Sequence, residues 1–230
     1  MIKLIRKAVL RLLLFFFLST ILAVVAYRYV PVYATPLMVI RCFEQKNAGE
    51  PLTLRHHWVS LDEMSIYMPV AVMASEDQRF LSHHGFDFDA IEKAAQRNRR
   101  GQKTYGASTI SQQTAKNVFL WPGRSWVRKG LEAYFTVLIE AVWGKERIME
   151  VYLNSIEMGA GIYGVSAVAE AHFGKSAADL SRGDCALIAA TLPNPLRYSS
   201  LSPNGYMRKR QRWIEGQMKN IPVFPREKNE

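Results

Sequence analysis

Residues Met73 to Gly85, "MASEDQRFLSHHG", end one of the more apolar runs of the chain and place two carboxylates, Glu76 and Asp77, directly after buried-type methyl groups. A carboxylate held against apolar walls has its charged form disfavoured, which makes it a better proton acceptor than one in water. Glu76 is therefore a candidate general base. Phe80 and His83 follow at turn-like spacings, and Gly85 closes the segment. Taken alone, the same pair could cap a helix or pair with Arg79.

Two further clusters suit anions. In "YGASTISQQTAKN", Gly106 permits an unusual turn, while Ser108, Thr109, Gln112 and Gln113 crowd hydrogen-bonding groups at a helix start, with Lys116 one turn on. Helix N-termini bind phosphate and other anions. In "GRSWVRKGLE", Arg124, Arg128 and Lys129 precede Glu132 within roughly two to three helical turns. Arg128 and Glu132 also have the i,i+4 spacing of an ordinary surface ion pair. Cations beside a carboxylate would equally suit a pyrophosphate with a divalent ion between the acidic groups.

The elements that must position these groups read as helices. Ser60 and Glu63 have capping-box spacing ahead of "MSIYMPVAVMA", where Pro69 either starts a second segment or kinks a single one. Asp87 or Asp89 opens "DFDAIEKAAQRNRRG", and Gly101 stops it. Thr109 and Gln112 repeat the capping-box spacing. Leu131, Phe135, Leu138, Ile139 and Val142 form one face of a long helix, with Glu132, Thr136 and Glu140 on another. Shorter helices follow in "KERIMEVYLNSI", after the Gly-rich turn "GAGIYG", in "SAADLSRGDCALIAATLPNP" and in the basic "YMRKRQRWIEGQMKN". No strand-period pattern is strong, so the class is mainly α.

Composition narrows the partners. The 230 residues are 49% hydrophobic, which argues against disorder, and 30 Lys and Arg face 20 Asp and Glu, a formal charge of +10. Lys3, Arg6, Lys7 and Arg11 precede the uncharged run Leu12 to Tyr27. With Ala8 to Leu10 added, the run approaches the ~20 residues of a membrane span. The basic cluster predicts a cytoplasmic N-terminus and an exported domain after about Arg28. A cleaved signal peptide is the alternative, and it also exports the domain. Export makes nucleic acid a poor partner. Residues 31–50 read as a connector with a strand or juxtamembrane piece, "PLMVIRCF", residues 51–220 as the domain, and 221–230 as a tail. Cys42 and Cys185 form no disulfide framework, and Cys185 reads as a buried small hydrophobe.

In order and spacing, "EDQRFLSHHG", "GASTISQQTAKN", "RKGLE", "KERIMEVYLN" and "RGDCALIAATLPNP" resemble the five motifs of the peptidoglycan glycosyltransferases, a family of lysozyme-like fold. The likeness spans about residues 50–220. It is closest to the monofunctional biosynthetic transglycosylases, since no S-x-x-K or K-T-G of a penicillin-binding transpeptidase follows. Ser111 departs from the usual Thr, and Cys185 from a common Ala.

The resemblance implies polymerisation of lipid II by a membrane-bound enzyme with no organic cofactor. Glu76 matches the family's general base, and Glu132 its second glutamate, for which the resemblance implies a divalent cation, Mg or Mn, at the pyrophosphate. Lys116, Arg124, Arg128 and Lys129 would surround the pyrophosphate. Asp77, Ser108, Gln112 and Gln113 would position sugars and phosphates or brace the site, while Phe80, His83, Gly85 and Gly106 shape it. Implied partners are lipid II, growing lipid-linked glycan, membrane lipid and other wall-synthesis or division proteins. The implied location is a bacterial inner membrane, crossed once. A lysozyme-type or lytic glycan-cleaving enzyme and an inactive membrane-anchored scaffold are the rival readings.

Overall fold

The computed structural model describes residues 1–99, 101, 106–123 and 125–225. Its first helix, α1 (Ile2–Tyr29), has 28 residues, about 42 Å at the helical rise. It is long and apolar enough to cross a membrane, and nearly all of its side chains are exposed.

This helix is docked, not tethered. Arg147 donates to the carbonyls of Tyr27 (2.9 and 3.0 Å) and Val30 (2.7 Å) at its C-terminal end, where a helix leaves carbonyls without partners. Arg28 returns the favour to the carbonyl of Val142, and Trp143 Nε1 donates to Val24 O at 2.7 Å. Deeper in the span, Thr20 and Tyr134 share a hydroxyl hydrogen bond of 2.8 Å.

The connector is helical. Helix α2 (Pro36–Asn47) begins with Thr35 accepting from Met38 N and with Pro36 at the first turn, so of the two readings of this piece the strand is corrected to a helix. Strand β1 (Arg55–His56) follows. The Ser60–Glu63 capping box closes only a single 3-10 turn, Leu61–Glu63, and a separate helix, α3 (Tyr67–Glu76), carries Pro69 in its first turn. Met68 to Ala74 are all buried, which makes α3 apolar all round and a central core helix.

Helix α4 (Phe88–Arg99) is capped by Asp87, whose carboxylate accepts from Ala90 N at 3.0 Å. Then come α5 (Ile110–Phe119), α6 (Trp126–Val142) and α7 (Gly144–Ser155), with α5 packed on both of the others. Both faces of α6 are used, since Glu132 and Thr136 are buried along with Phe135 and Ile139.

Strands β2 (Glu157–Gly159) and β3 (Ile162–Tyr163) form a hairpin, and β3 pairs parallel with β1 in the order β1-β3-β2. The Gly-rich turn is therefore part of a small sheet that the sequence pattern was too short to show. At Gly161, φ is +68°, and a Cβ would lie 2.2 Å from Thr53 O. Helices α8 (Gly164–Val168), α9 (Arg182–Ala189) and α10 (Gly205–Gln217) complete the fold, with α9 and α10 against α3. Cys42 and Cys185 are unpaired, and burial pushes the Cys185 thiol up to about 12.

Gly85 marks where the site loop meets α6. Its φ is +90°, and a Cβ would meet Thr136 Cγ2 at 2.8 Å and Glu140 Cγ at 3.1 Å. Gly85→Ala should lower unfolding free energy by about 1–3 kcal/mol through strain and overpacking. Urea denaturation of the full chain in detergent measures it; an unchanged midpoint would show that the loop is free to move.

Candidate active site

Helix α3 ends because Asp77 leaves helical conformation, at φ −159° and ψ 79°. Glu76 is thus the last residue of a rigid, buried helix, and its side chain keeps 15% exposure. Its two oxygens have different neighbours. Oε1 accepts from Ser75 Oγ (2.8 Å) and lies 3.7 Å from Arg210 Nη2, which itself donates to Ser75 Oγ (3.0 Å). Oε2 accepts from Gln113 Nε2 at 3.4 Å. Tyr152 donates its hydroxyl to Gln113 Oε1 (3.1 Å), which fixes the amide so that its N–H side faces Glu76. Burial, with Glu76 and Asp77 nearby, pushes the Tyr152 phenol well above its usual range, so it stays a donor.

Asp77 has a different environment. It is 6% exposed. One oxygen accepts from Ile110 N (3.0 Å) at the first turn of α5, and His83 Nε2 lies 2.9 and 3.1 Å from the two oxygens. Gly85 N donates to His83 Nδ1 (3.1 Å), so Nε2 carries the proton given to Asp77. Of the two roles open to Asp77, positioning substrate or bracing the site, its contacts are those of a brace. Phe80 is buried beneath the same loop, edge-on to His83 and 4.5 Å from Lys145 Nζ.

The start of α5 divides its polar residues. Thr109 and Gln112 form the capping box, with Gln112 Oε1 accepting from Thr109 N (3.1 Å), and Thr109 Oγ1 donates to Gly85 O (2.6 Å). The polar end of Gln112 that accepts is thereby occupied. Gly106 and Ser108 lie exposed ahead of the helix. Ser111, the departure from Thr, is buried and donates to Glu140.

The second carboxylate, Glu132, is 3% exposed and saturated by cations. Arg128 Nη1 donates to Oε2 at 2.8 Å, and Lys129 Nζ donates to Oε1. The Lys116 ammonium, by contrast, has no hydrogen-bond or ion-pair partner among the described residues. Burial is the largest cause of its lowered pKa; Glu132 opposes that shift, Arg128 and Lys129 add to it, and Glu76 opposes it less. Lys116 therefore stands within electrostatic reach of both carboxylates. Arg128 Nε and Arg210 Nε are buried without an acceptor among the described residues. Arg124 lies outside the described residues.

A hollow of about 270 Å³ opens at Ser125, Trp126, Arg128 and Lys129. A larger one, about 820 Å³, lies at the end of α1 and shares no residue with either carboxylate. Its size does not make it the reactive site, because its cations, including Arg28, Lys145 and Arg147, are matched by Asp62, Glu146 and Glu150. Hard divalent cations need several oxygen ligands. Among the described residues no three acids, histidines or cysteines gather to hold a metal, and both Glu132 oxygens already have cationic partners.

Three contributors escaped the sequence pattern. Ser75 gave only its place beside Glu76 as a signal. Tyr152 reads as a core aromatic, and Arg210 as one of several basic residues on an amphipathic helix.

A mainly helical domain with a carboxylate ending a buried helix, and cations on α5 and α6, agrees with the lysozyme-like class that the sequence motifs imply. The chain belongs to the transglycosylase family, whose sequence profile matches residues 45–219. A biosynthetic peptidoglycan transglycosylase of Bacteroides thetaiotaomicron is 60% identical over 224 residues, 97% of this chain and 90% of that protein. Proteins of the same description from Caulobacter vibrioides and Bdellovibrio bacteriovorus are each 51% identical, covering 92% and 96% of this chain and 90% and 88% of their own lengths.

Asp77→Ala should strand the Ile110 N–H and the His83 Nε2–H in the interior, at a cost of about 2–4 kcal/mol. Denaturant unfolding checks this. A loss below about 0.5 kcal/mol would mean that the bracket carries no load.

Proposed function

We propose that the protein is a peptidoglycan glycosyltransferase that polymerises lipid II, with Glu76 as general base. Glu76 takes the proton of the acceptor N-acetylglucosamine 4-hydroxyl as that oxygen attacks C1 of the donor N-acetylmuramic acid. The bond from C1 to the pyrophosphate oxygen breaks, its electron pair leaves with undecaprenyl pyrophosphate, and attack from the opposite face gives a β-1,4 linkage with inversion.

The observation that carries this reading is Lys116, whose ammonium has no hydrogen-bond or ion-pair partner among the described residues and feels the charge of both Glu132 and Glu76. Developing charge on a pyrophosphate is met by preorganised cations, and Lys116, Arg128 and Lys129 are the described residues suited to it. Glu132 holds Arg128 and Lys129 in place. A cleaving enzyme uses its second carboxylate on water or on the sugar. Glu132, neutralised on both oxygens, is poorly suited to that work, which favours transfer over hydrolysis.

On this reading α1 crosses the bacterial inner membrane once, with the basic N-terminus inside and the domain on the outer side, where the lipid tail of the substrate stays in the bilayer. Trp126, 93% exposed, suits the interface.

Labelled lipid II tests the reaction. The full chain should form polymer that disappears with moenomycin, the phosphoglycolipid inhibitor of the resembling family, and Glu76→Gln should reduce the rate at least ~100-fold while leaving the fold intact. Degradation of finished strands without chain growth would establish hydrolysis instead.

The Lys116 charge gives a pH signature. With its pKa lowered, Lys116 loses its proton at a lower pH than an exposed lysine would, so kcat/KM should fall on the alkaline limb. Lys116→Arg, whose guanidinium keeps its charge there, should move that limb to higher pH. Identical alkaline limbs would remove Lys116 from the anion-binding role.

A further inference from the structure

Helix α10 carries two aromatic side chains, Tyr206 and Trp213, that the bond-making step leaves unused. Tyr206, Arg210 and Trp213 recur at i, i+4 and i+7 and so line one side of the helix. The helix is firmly held, because Gln211 donates to Gly183 O (3.0 Å), Arg182 donates to Glu215 O (2.8 Å), and Met207 and Ile214 are buried.

The middle of that side reaches Glu76. Arg210 Nη2 lies 3.7 Å from Glu76, and its guanidinium carbon is 5.9 Å from the centre of the Trp213 ring. Trp213 is 47% exposed and Tyr206 52%. Tyr206 stacks on Tyr198, with ring centres 5.2 Å apart and planes at 27°. From Tyr206 to Trp213 the strip is about 10 Å long by helical rise.

A bilayer is a poor cover for these rings. The anchor α1 docks through Tyr134, Val142, Trp143 and Arg147, whereas α10 packs on α3 and α9. Flat aromatic faces beside a guanidinium suit a ligand that is apolar on its ring faces and rich in oxygen at its edges. Sugar rings have that character: their C–H faces pack on aromatic planes, and their hydroxyl and acetamido oxygens accept from arginine.

We propose that the Tyr198, Tyr206 and Trp213 strip is a platform for the growing glycan strand, adjoining the reacting sugars at Glu76. The proposal rests on the reading of Glu76 as the base of glycan polymerisation. A polymer held by sugar rings beyond the reacting pair stays bound between additions. The strip therefore acts on strand length and KM more than on the bond-making step.

Glycan strands freed of stem peptides, titrated by calorimetry into full-length Glu76→Gln enzyme in detergent, test the contact without turnover. Adding Trp213→Ala should weaken binding about fivefold or more, and Trp213→Phe should restore most of it. With Glu76 intact, Trp213→Ala and Tyr206→Ala should shorten the strands made from labelled lipid II and raise KM more than they lower kcat. If the double variant melts at the wild-type temperature, binds strands equally and makes strands of wild-type length, the platform is overturned. A protein that binds strands through Trp213 but never extends lipid II would overturn the polymerase reading and leave the platform standing.

Discussion

The site depends on one buried carboxylate, Asp77, whose hydrogen bonds tie three elements together. Asp77 is taken out of water at the end of α3, which is costly unless its oxygens are used. It meets that cost by accepting from Ile110 N and from His83, and His83 is in turn held by Gly85 N. One side chain thus ties together the end of α3, the loop under it and the start of α5. Glu76 is covalently next to this bracket, so the same contacts that bury Asp77 aim Glu76 toward Gln113 and Arg210. The apolar α3 supplies the rigidity.

The cations are organised by a similar division of labour. Glu132 is engaged with Arg128 and Lys129 on both oxygens, while Lys116 Nζ and the two arginine Nε groups have no acceptor among the described residues. Folding pays for this arrangement, because like charges are held close in a partly dehydrated cleft. The lowered pKa of Lys116 is caused first by burial, with Arg128 and Lys129 adding to it.

The anchor extends the same rigidity to the membrane. Arg147 satisfies the last carbonyls of α1, and Arg28 does so for the end of α6. Thr20 lies well inside the apolar run, and its hydrogen bond to Tyr134 sets the outer face of α6 at the level of that run. Reactive groups on the neighbouring turns of α6 are therefore held at a fixed depth relative to the apolar span.

The chain by itself determined the helical class, the anchor, the capping boxes at Ser60 and Thr109, and the identity of the paired acids and cations, because periodicity, caps and charge spacing are local properties. Local signals also left gaps. Helix α2 was missed, since its cap at Thr35 was hidden in a short apolar run, and the three strands are too brief for an alternating pattern. Only the tertiary structure decided the roles. It turned Asp77 inward and Glu76 outward, occupied Gln112 with a cap while freeing Gln113 for Glu76, saturated Glu132 and left Lys116 unpaired. It also brought Arg210 to Glu76 from a helix more than a hundred residues away. The physical reason is that burial and hydrogen-bond partners arise from packing between distant segments, and a spacing along the chain does not record them.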